Sequence, residues 1–296
     1  MHITRRRFLA ATAAATAALT ALPTRHNAAA DGGSSAEMKL GLVTYLWGQD
    51  WDLPTLLANC AAAGVPGVEL RTEHKHGVEP SLSPVQRLEV RKRFADSPVT
   101  LVGYGSNAEY HSNDPAELKR NIELTKAYVR LMYDCGGSGV KVKPNSFVKD
   151  VPHEQTLEQI GKALNEVAAF GAECGQSIRL EVHGQGTDEL PNIKAIMDVA
   201  THPNAGVCWN CNGTDLKGQG LEYNFDLVKN RLGDTTHVRE LNVADYPYAQ
   251  LLQLLVQSHY AGWILLECRT NPADRVTALA EQRRAFEELL AAARKQ

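Results

Sequence analysis

From Met38 onward the sequence alternates eight times between a short apolar or β-branched run and a longer amphipathic one, always in the order strand then helix. The strands are predicted at Lys39–Tyr45, Gly67–Arg71, Val99–Gly105, Gly139–Lys143, Ile178–His183, Ala205–Asn210, His237–Asn242 and Trp263–Cys268. Between them lie helical patterns near Leu53–Ala63, Pro84–Ala95, Pro115–Cys135, Glu154–Cys174, Glu189–Ala200, Tyr223–Arg231, Tyr248–Ser258 and Ala273–Arg294. Asp52 and Asp114-Pro115 supply helix starts, and Gly64, Gly136 and Gly175 supply stops. An open doubly wound sheet would want a glycine-rich phosphate turn after its first strand, and Tyr45-Leu46-Trp47-Gly48-Gln49-Asp50 is not one. The expectation is an α/β protein with a single closed (β/α)8 barrel over residues 38–296.

The residues ahead of the barrel read as an address. Thr4-Arg5-Arg6-Arg7-Phe8-Leu9 has a twin-arginine pattern, the Ala/Thr/Leu run from Leu9 to Leu22 is too short and weakly apolar to span a membrane, and Ala28-Ala29-Ala30 offers a small-residue cleavage site. Residues 1–30 are therefore expected to be a signal peptide and 31–37 a linker. The partner implied is the twin-arginine export machinery, which moves folded proteins, and the implied location is bacterial periplasm or another extracytoplasmic space.

Residues 1–30 hold four arginines and no acid, so without them the formal charge moves from −3 to −7. With no basic run, no aromatic-basic interleaving and no further apolar stretch of spanning length, neither a nucleic-acid partner nor a membrane span in the mature form is expected. The cysteines are Cys60, Cys135, Cys174, Cys208, Cys211 and Cys268. Disulfides are permitted in an exported protein, yet these positions fall on predicted helices and strands, where buried free thiols are at least as common. Cys208-Trp209-Asn210-Cys211 has a redox or zinc spacing but lacks a second pair.

In such a barrel chemistry sits at the C-terminal ends of the strands, so those positions form a set. In order they offer Tyr45 and Trp47; Glu73, His74 and His76; Asn107, Glu109 and His111; Lys141, Lys143 and Asn145; Glu181 and His183; Asn210 and Asn212; Glu240 and Asn242; Glu267 and Arg269. The fifth strand, Ile178-Arg179-Leu180-Glu181-Val182-His183-Gly184, stands out, because period-two alternation puts Glu181 and His183 on one face. A carboxylate in such a place is costly unless paired or bound to a cation. Carboxylates, imidazoles, amides and lysines beside aromatics suit a polyhydroxy substrate held by hydrogen bonds, with a divalent ion among them.

The chain resembles the xylose isomerase-like TIM barrels, the sugar phosphate isomerase/epimerase superfamily, over nearly all of the mature part. The resemblance is carried by Lys39-Leu40-Gly41-Leu42-Val43-Thr44, Ala63-Gly64-Val65-Pro66-Gly67-Val68-Glu69-Leu70, Leu180-Glu181-Val182-His183-Gly184, His202-Pro203-Asn204-Ala205-Gly206-Val207-Cys208-Trp209-Asn210 and His259-Tyr260-Ala261-Gly262-Trp263-Ile264-Leu265-Leu266-Glu267. It implies a divalent ion held by Glu on strand five, Asp on strand six, His on strand seven and Glu on strand eight, with the two glutamates moving a proton beside a sugar carbonyl. Glu181 and Glu267 match the outer positions; Asn210 stands at the aspartate position, and Glu240 falls at the histidine position when Val238-Arg239-Glu240-Leu241-Asn242 is taken as strand seven. Three carboxylates and an amide would favour manganese or magnesium, with cobalt or zinc as further options, and His183 could serve as an additional ligand.

The implied reaction is isomerisation or epimerisation of a sugar through an enediolate, with Glu181 and Glu267 exchanging the proton. If the substrate carries a leaving group β to the carbonyl, the same carbanion would expel it, as in β-elimination from an oxidised 3-keto glycoside. Lys143 and His76 would then join the catalytic set, with Lys141 and His111 as further candidates. Trp47, His74, His111, Lys141, Asn212 and Arg269 are expected to contact substrate. A non-catalytic sugar-binding barrel is the remaining alternative, should the changes at Asn210 and Glu240 cost the ion.

Overall fold

The computed structural model describes residues 37–295, so the predicted signal peptide and all but the last residue of the predicted linker lie outside the described residues. The strands are β1 Lys39–Val43, β2 Gly67–Arg71, β3 Thr100–Glu109, β4 Gly139–Lys143, β5 Ser177–Glu181, β6 Ala205–Asn210, β7 Leu232–Val238 and β8 Trp263–Leu266. They alternate with helices α1 Leu53–Ala63, α2 Pro84–Ala95, α3 Pro115–Cys135, α4 His153–Glu173, α5 Leu190–Val199, α6 Gly220–Val228, α7 Tyr248–Gln257 and α8 Arg275–Ala293. Every strand pairs in parallel with the next, and β8 closes on β1 from Lys39↔Trp263 to Leu42↔Leu266, giving the expected (β/α)8 barrel.

The helices begin where their side chains can take up free backbone donors. Asp52 accepts from the Thr55 amide at 2.9 Å, Ser83 and Gln86 form a reciprocal capping box, and Asp114 accepts from Ala116 ahead of a proline. Gly64 and Gly136 end α1 and α3 in the left-handed conformation that a side chain would disfavour. No described helix is long and apolar enough to cross a membrane. All six cysteines are free, five of them buried.

The main core lies between sheet and helices, where the outward strand residues Val68, Leu70, Val140, Val142, Ile178 and Leu180 meet the helix faces. The barrel interior is different. Its inward positions combine a small apolar cluster, Val43, Val102 and Leu265, with the charged residues Glu69, Lys141, Arg179, Glu181 and His237, all buried. Room for them comes from missing side chains. A Cβ at Gly103 would collide with the Arg179 guanidinium, and one at Gly105 would lie 3.0 Å from Glu69 Oε1 and 3.3 Å from Lys141 Cε.

Two strand boundaries differ from expectation with consequences for the site. β7 begins at Leu232, five residues before the predicted His237, because its inward face looks onto a polar interior and Asp234-Thr235-Thr236-His237 carries no apolar signal. His237 is therefore a strand residue and Glu240 lies beyond the strand end. β5 ends at Glu181, which leaves His183 in the following loop, just before Gly184 with φ of 104°.

Candidate active site

Three side chains converge at the C-terminal mouth of the barrel. Glu181 ends β5, His237 lies on β7, and Glu267 directly follows β8; one ligand-capable atom from each lies within 4.8 Å of the other two, and all three residues are buried. The backbone sets the spacing, since the Glu267 amide donates to the Val238 carbonyl at 2.7 Å and His237 pairs in register with both Asn210 and Leu265.

Fixed partners surround the cluster. Glu181 Oε2 accepts from Lys141 Nζ at 2.5 Å, and its Oε1 accepts from Asn210 Nδ2 at 3.0 Å. His237 Nε2 lies 3.0 Å from Glu69 Oε1 on β2. Its Nδ1 is 3.5 Å from Glu181 Oε1, close enough for charge to be felt but without hydrogen-bond geometry, so Nδ1 is a buried atom with no hydrogen-bond partner. Glu267 Oε1 accepts from Arg71 Nη1 at 2.9 Å, and the Arg71 guanidinium sits over the Tyr45 ring at 5.2 Å.

These contacts set the charges. Burial opposes ionisation of Glu181, but the Lys141 ammonium and the His237 imidazole outweigh it and hold the carboxyl well below its usual range. Burial likewise works against a charged His237, yet Cys208, Glu69 and Glu181 beside it raise the imidazole well above its ordinary value in the ion-free protein. Burial, with Lys141 as a like-charged neighbour, lowers the Lys143 ammonium. His183, in the loop after β5, is lowered by burial and by Lys141, with Glu181 and Glu267 opposing. Its Nδ1 is also buried and without a partner.

The donor set fits a divalent cation. An unpartnered buried imidazole nitrogen facing two carboxylates is costly to leave unfilled, and one nitrogen with two carboxylate oxygens is a common ligand group for such ions. Asn210 sits beside it on β6 with its amide on Glu181.

The sequence-predicted residues divide accordingly. Glu181, Glu267, Asn210, Lys141, Lys143 and His183 gather at this mouth, as shown by their contacts and mutual charge effects. Glu240 is a correction: its Oε1 accepts from the Arg269 and Thr270 amides and from the Thr270 hydroxyl, so it braces the loop after β8 and stands outside the three-residue cluster. Those same bonds, against the cost of burial, keep its carboxyl below the usual value.

His76 is a second correction. It is buried, and both ring nitrogens are taken by backbone, Nε2 by the Arg71 carbonyl at 2.8 Å and Nδ1 by the Val78 amide at 3.0 Å, leaving no proton to exchange with substrate. Trp47 is also buried, with Nε1 donating to the Thr270 carbonyl. Asn212 ties β5 to β6 by donating to the Val182 and Asn210 carbonyls. His74 packs against the Thr44 hydroxyl at 3.1 Å and is brought down to about 4 by burial, helped by His76 and Arg71. Arg269 is exposed, and His111 carries a buried, unpartnered Nδ1.

Three residues at the site, Glu69, Arg71 and His237, escaped the sequence reading. The first two carried a legible signal: Glu69 and Arg71 alternate along Gly67-Val68-Glu69-Leu70-Arg71, which puts both on the inward face.

The sequence model of the family described as xylose isomerase-like TIM barrel matches residues 57–291. No curated protein matches the sequence. Among solved structures, an L-ribulose 3-epimerase superposes with a TM-score of 0.75 at 16% identity, covering 87% of this chain and 96% of that one. The 3-keto-D-glucoside 4-epimerase of E. coli gives 0.72 at 11%, covering 85% and 100%. The IolI protein with a bound zinc atom gives 0.72 at 14%, covering 86% and 98%.

Proposed function

Because the chain belongs to the xylose isomerase-like TIM barrel family, we propose that it is a divalent-metal-dependent isomerase or epimerase that moves a proton on the carbon beside a sugar carbonyl. The observation that carries the reading is the convergence of Glu181, His237 and Glu267 to within 4.8 Å at the barrel mouth. Those three residues would hold the ion, with the neutral Asn210 amide alongside. When bound, such an ion polarises a carbonyl or hydroxyl oxygen and acidifies the neighbouring C–H.

The chain's own residues supply the proton traffic. Glu181, kept ionised by Lys141, takes the proton from one face of the substrate carbon, and Glu267, oriented by Arg71, delivers or removes one on the other. Tyr45, half-buried beneath Arg71, offers an aromatic face to sugar C–H groups. With His237 in place of Glu240 the donor set gains an imidazole nitrogen, so the expected preference moves from magnesium toward manganese, cobalt or zinc. The zinc atom of the IolI structure and the ketose and keto-glucoside substrates named for the neighbouring epimerases agree with this reading.

A second reading is favoured by one feature. The half-buried Lys143, its ammonium made more acidic by burial, is suited to protonate a departing oxygen, which would turn the same proton abstraction into β-elimination from an oxidised glycoside. Incubating ketoses and 3-keto glycosides with the metal-loaded protein in deuterated water separates the two. Epimerisation places deuterium on the substrate carbon without releasing aglycone, whereas elimination releases it. A barrel that only binds sugar would do neither, and its sugar affinity would be unchanged by chelator.

The twin-arginine pattern at Thr4–Leu9 supports export, and so an extracytoplasmic site of action on free sugars or glycosides. Fractionation of cells carrying the full chain or an Arg5→Lys, Arg6→Lys, Arg7→Lys variant tests this: the variant is expected to stay inside.

A further inference from the structure

The charge arrangement inside the barrel contains a residue that the proton-transfer scheme leaves unused. Glu69 is fully buried on β2, on the far side of His237 from Glu181. A carboxylate with no access to water needs strong compensation. Glu69 Oε1 meets His237 Nε2 at 3.0 Å, while its Oε2 has no partner at all. The fold also makes room for it, because the missing Cβ at Gly105 would otherwise press on Glu69 Oε1 from 3.0 Å.

We propose that Glu69 is the positioning residue for His237: by accepting the Nε2 proton it fixes the ring with Nδ1 toward Glu181 and Glu267, and it supplies, from behind the imidazole, the negative charge that Asn210 does not bring to the cluster. This rests on the metal-site reading above. The geometry is that of a carboxylate bonded to the non-ligating nitrogen of a ligating histidine, which sets the tautomer and makes the ligating nitrogen more basic. The one hydrogen bond that the His237 ring makes is the one to Glu69; Cys208 lies near the ring but hydrogen-bonds the Trp209 carbonyl. Without Glu69 the ring can turn, and its two nitrogens become equivalent candidates for the ion.

The test uses the wild type with Glu69→Gln and Glu69→Ala, folding being checked by circular dichroism. Manganese and cobalt binding are measured by titration calorimetry, and the His237 ring by nitrogen-edited proton NMR of metal-free protein. Glu69→Ala is expected to weaken metal binding by roughly 10–100-fold and to abolish the slowly exchanging His237 Hε2 resonance. Glu69→Gln, whose amide oxygen can still accept, is expected to keep the resonance and lose less affinity. Unchanged affinity in Glu69→Ala, or an Hε2 resonance that persists there, overturns the proposal. If the wild type binds neither metal, the metal-site reading fails; a resonance lost in Glu69→Ala and kept in Glu69→Gln would then still support Glu69 as the group that fixes the ring. Should Glu69→Ala fail to fold, Glu69→Gln decides on the resonance alone: its retention supports the proposal and its absence overturns it.

Discussion

The two ends of the barrel bury charge in different ways. At the N-terminal floor Arg179 is fully buried with a partner on every nitrogen: Nε donates to Asp234 Oδ1 at 2.6 Å, Nη2 donates to Asp234 Oδ2 at 2.8 Å and to the Ser138 hydroxyl at 2.7 Å, and Nη1 donates to the Val102 carbonyl at 3.4 Å. At the mouth His237 Nδ1, His183 Nδ1 and Glu69 Oε2 have no hydrogen-bond partner. A buried polar group with every bond made is a closing element, whereas one left open among facing carboxylates is what a ligand site requires. A cavity of about 600 Å³ opens beneath the floor, lined by Arg179, Asp234 and His259 among others, but this is the end of the fold that serves stability.

The largest expected effect falls on the mouth alone. Glu181→Gln and Glu267→Gln should each lower deuterium exchange into substrate by roughly 10²–10⁴-fold, with the melting temperature held in Glu267→Gln and lowered in Glu181→Gln, which leaves the buried Lys141 ammonium without its carboxylate; activity assays and calorimetry on the same samples would check both. The floor should show the reverse. Arg179→Met is expected to cost near the low end of roughly 3–5 kcal/mol in urea unfolding, since its partner Asp234 is half-exposed and can rehydrate, with activity per folded molecule retained. An activity loss there as large as in Glu181→Gln would erase the distinction.

Metal loading sharpens the contrast further. At a hundredfold excess over the dissociation constant, manganese or cobalt should add about 2.7 kcal/mol to stability. That increment should persist in Arg179→Met, vanish in Glu267→Gln, and be removed by chelator, as read by thermal unfolding.

The smallest effect concerns Asp215, in the short turn after β6, where it accepts from the Asn212 amide and the Tyr246 hydroxyl. Burial pushes its carboxyl up to about 7 from an ordinary 3.8. The folded state therefore binds the proton more tightly than the unfolded chain. The resulting stabilisation is full below the unfolded value and is lost as pH rises through about 7. Asp215→Asn should flatten that decline between about pH 4 and 7 in urea midpoints; an unchanged slope would assign it to other groups.

How far the sequence could be read depended on which face of a strand the signal came from. All eight units, the closed barrel, and the convergence of Glu181 with Glu267 were accessible because outward-facing Val, Ile and Leu mark each strand against its helix. The sequence pattern puts β7 at His237–Asn242, because Leu232–Val238 is largely polar and Val238-Arg239-Glu240-Leu241-Asn242 alternates better. With that register Glu240 takes the expected ligand position and His237 only opens the strand. Glu69 lay in plain view within an apolar strand, but its importance comes from a pairing with His237, 168 positions away, that no local pattern encodes. His76 and Trp47 had suitable chemistry and position, and only their backbone bonds revealed that each is committed elsewhere.

The bond from the Glu267 amide to the Val238 carbonyl makes the sheet itself the gauge of the cluster. The distance between the eighth-strand acid and the seventh-strand imidazole is fixed by rungs of the ladder, so slippage by a single rung would turn one of the two outward. A change in the loops beyond that gauge leaves the cluster's dimensions as they are, because the rungs that set them lie within the paired strands.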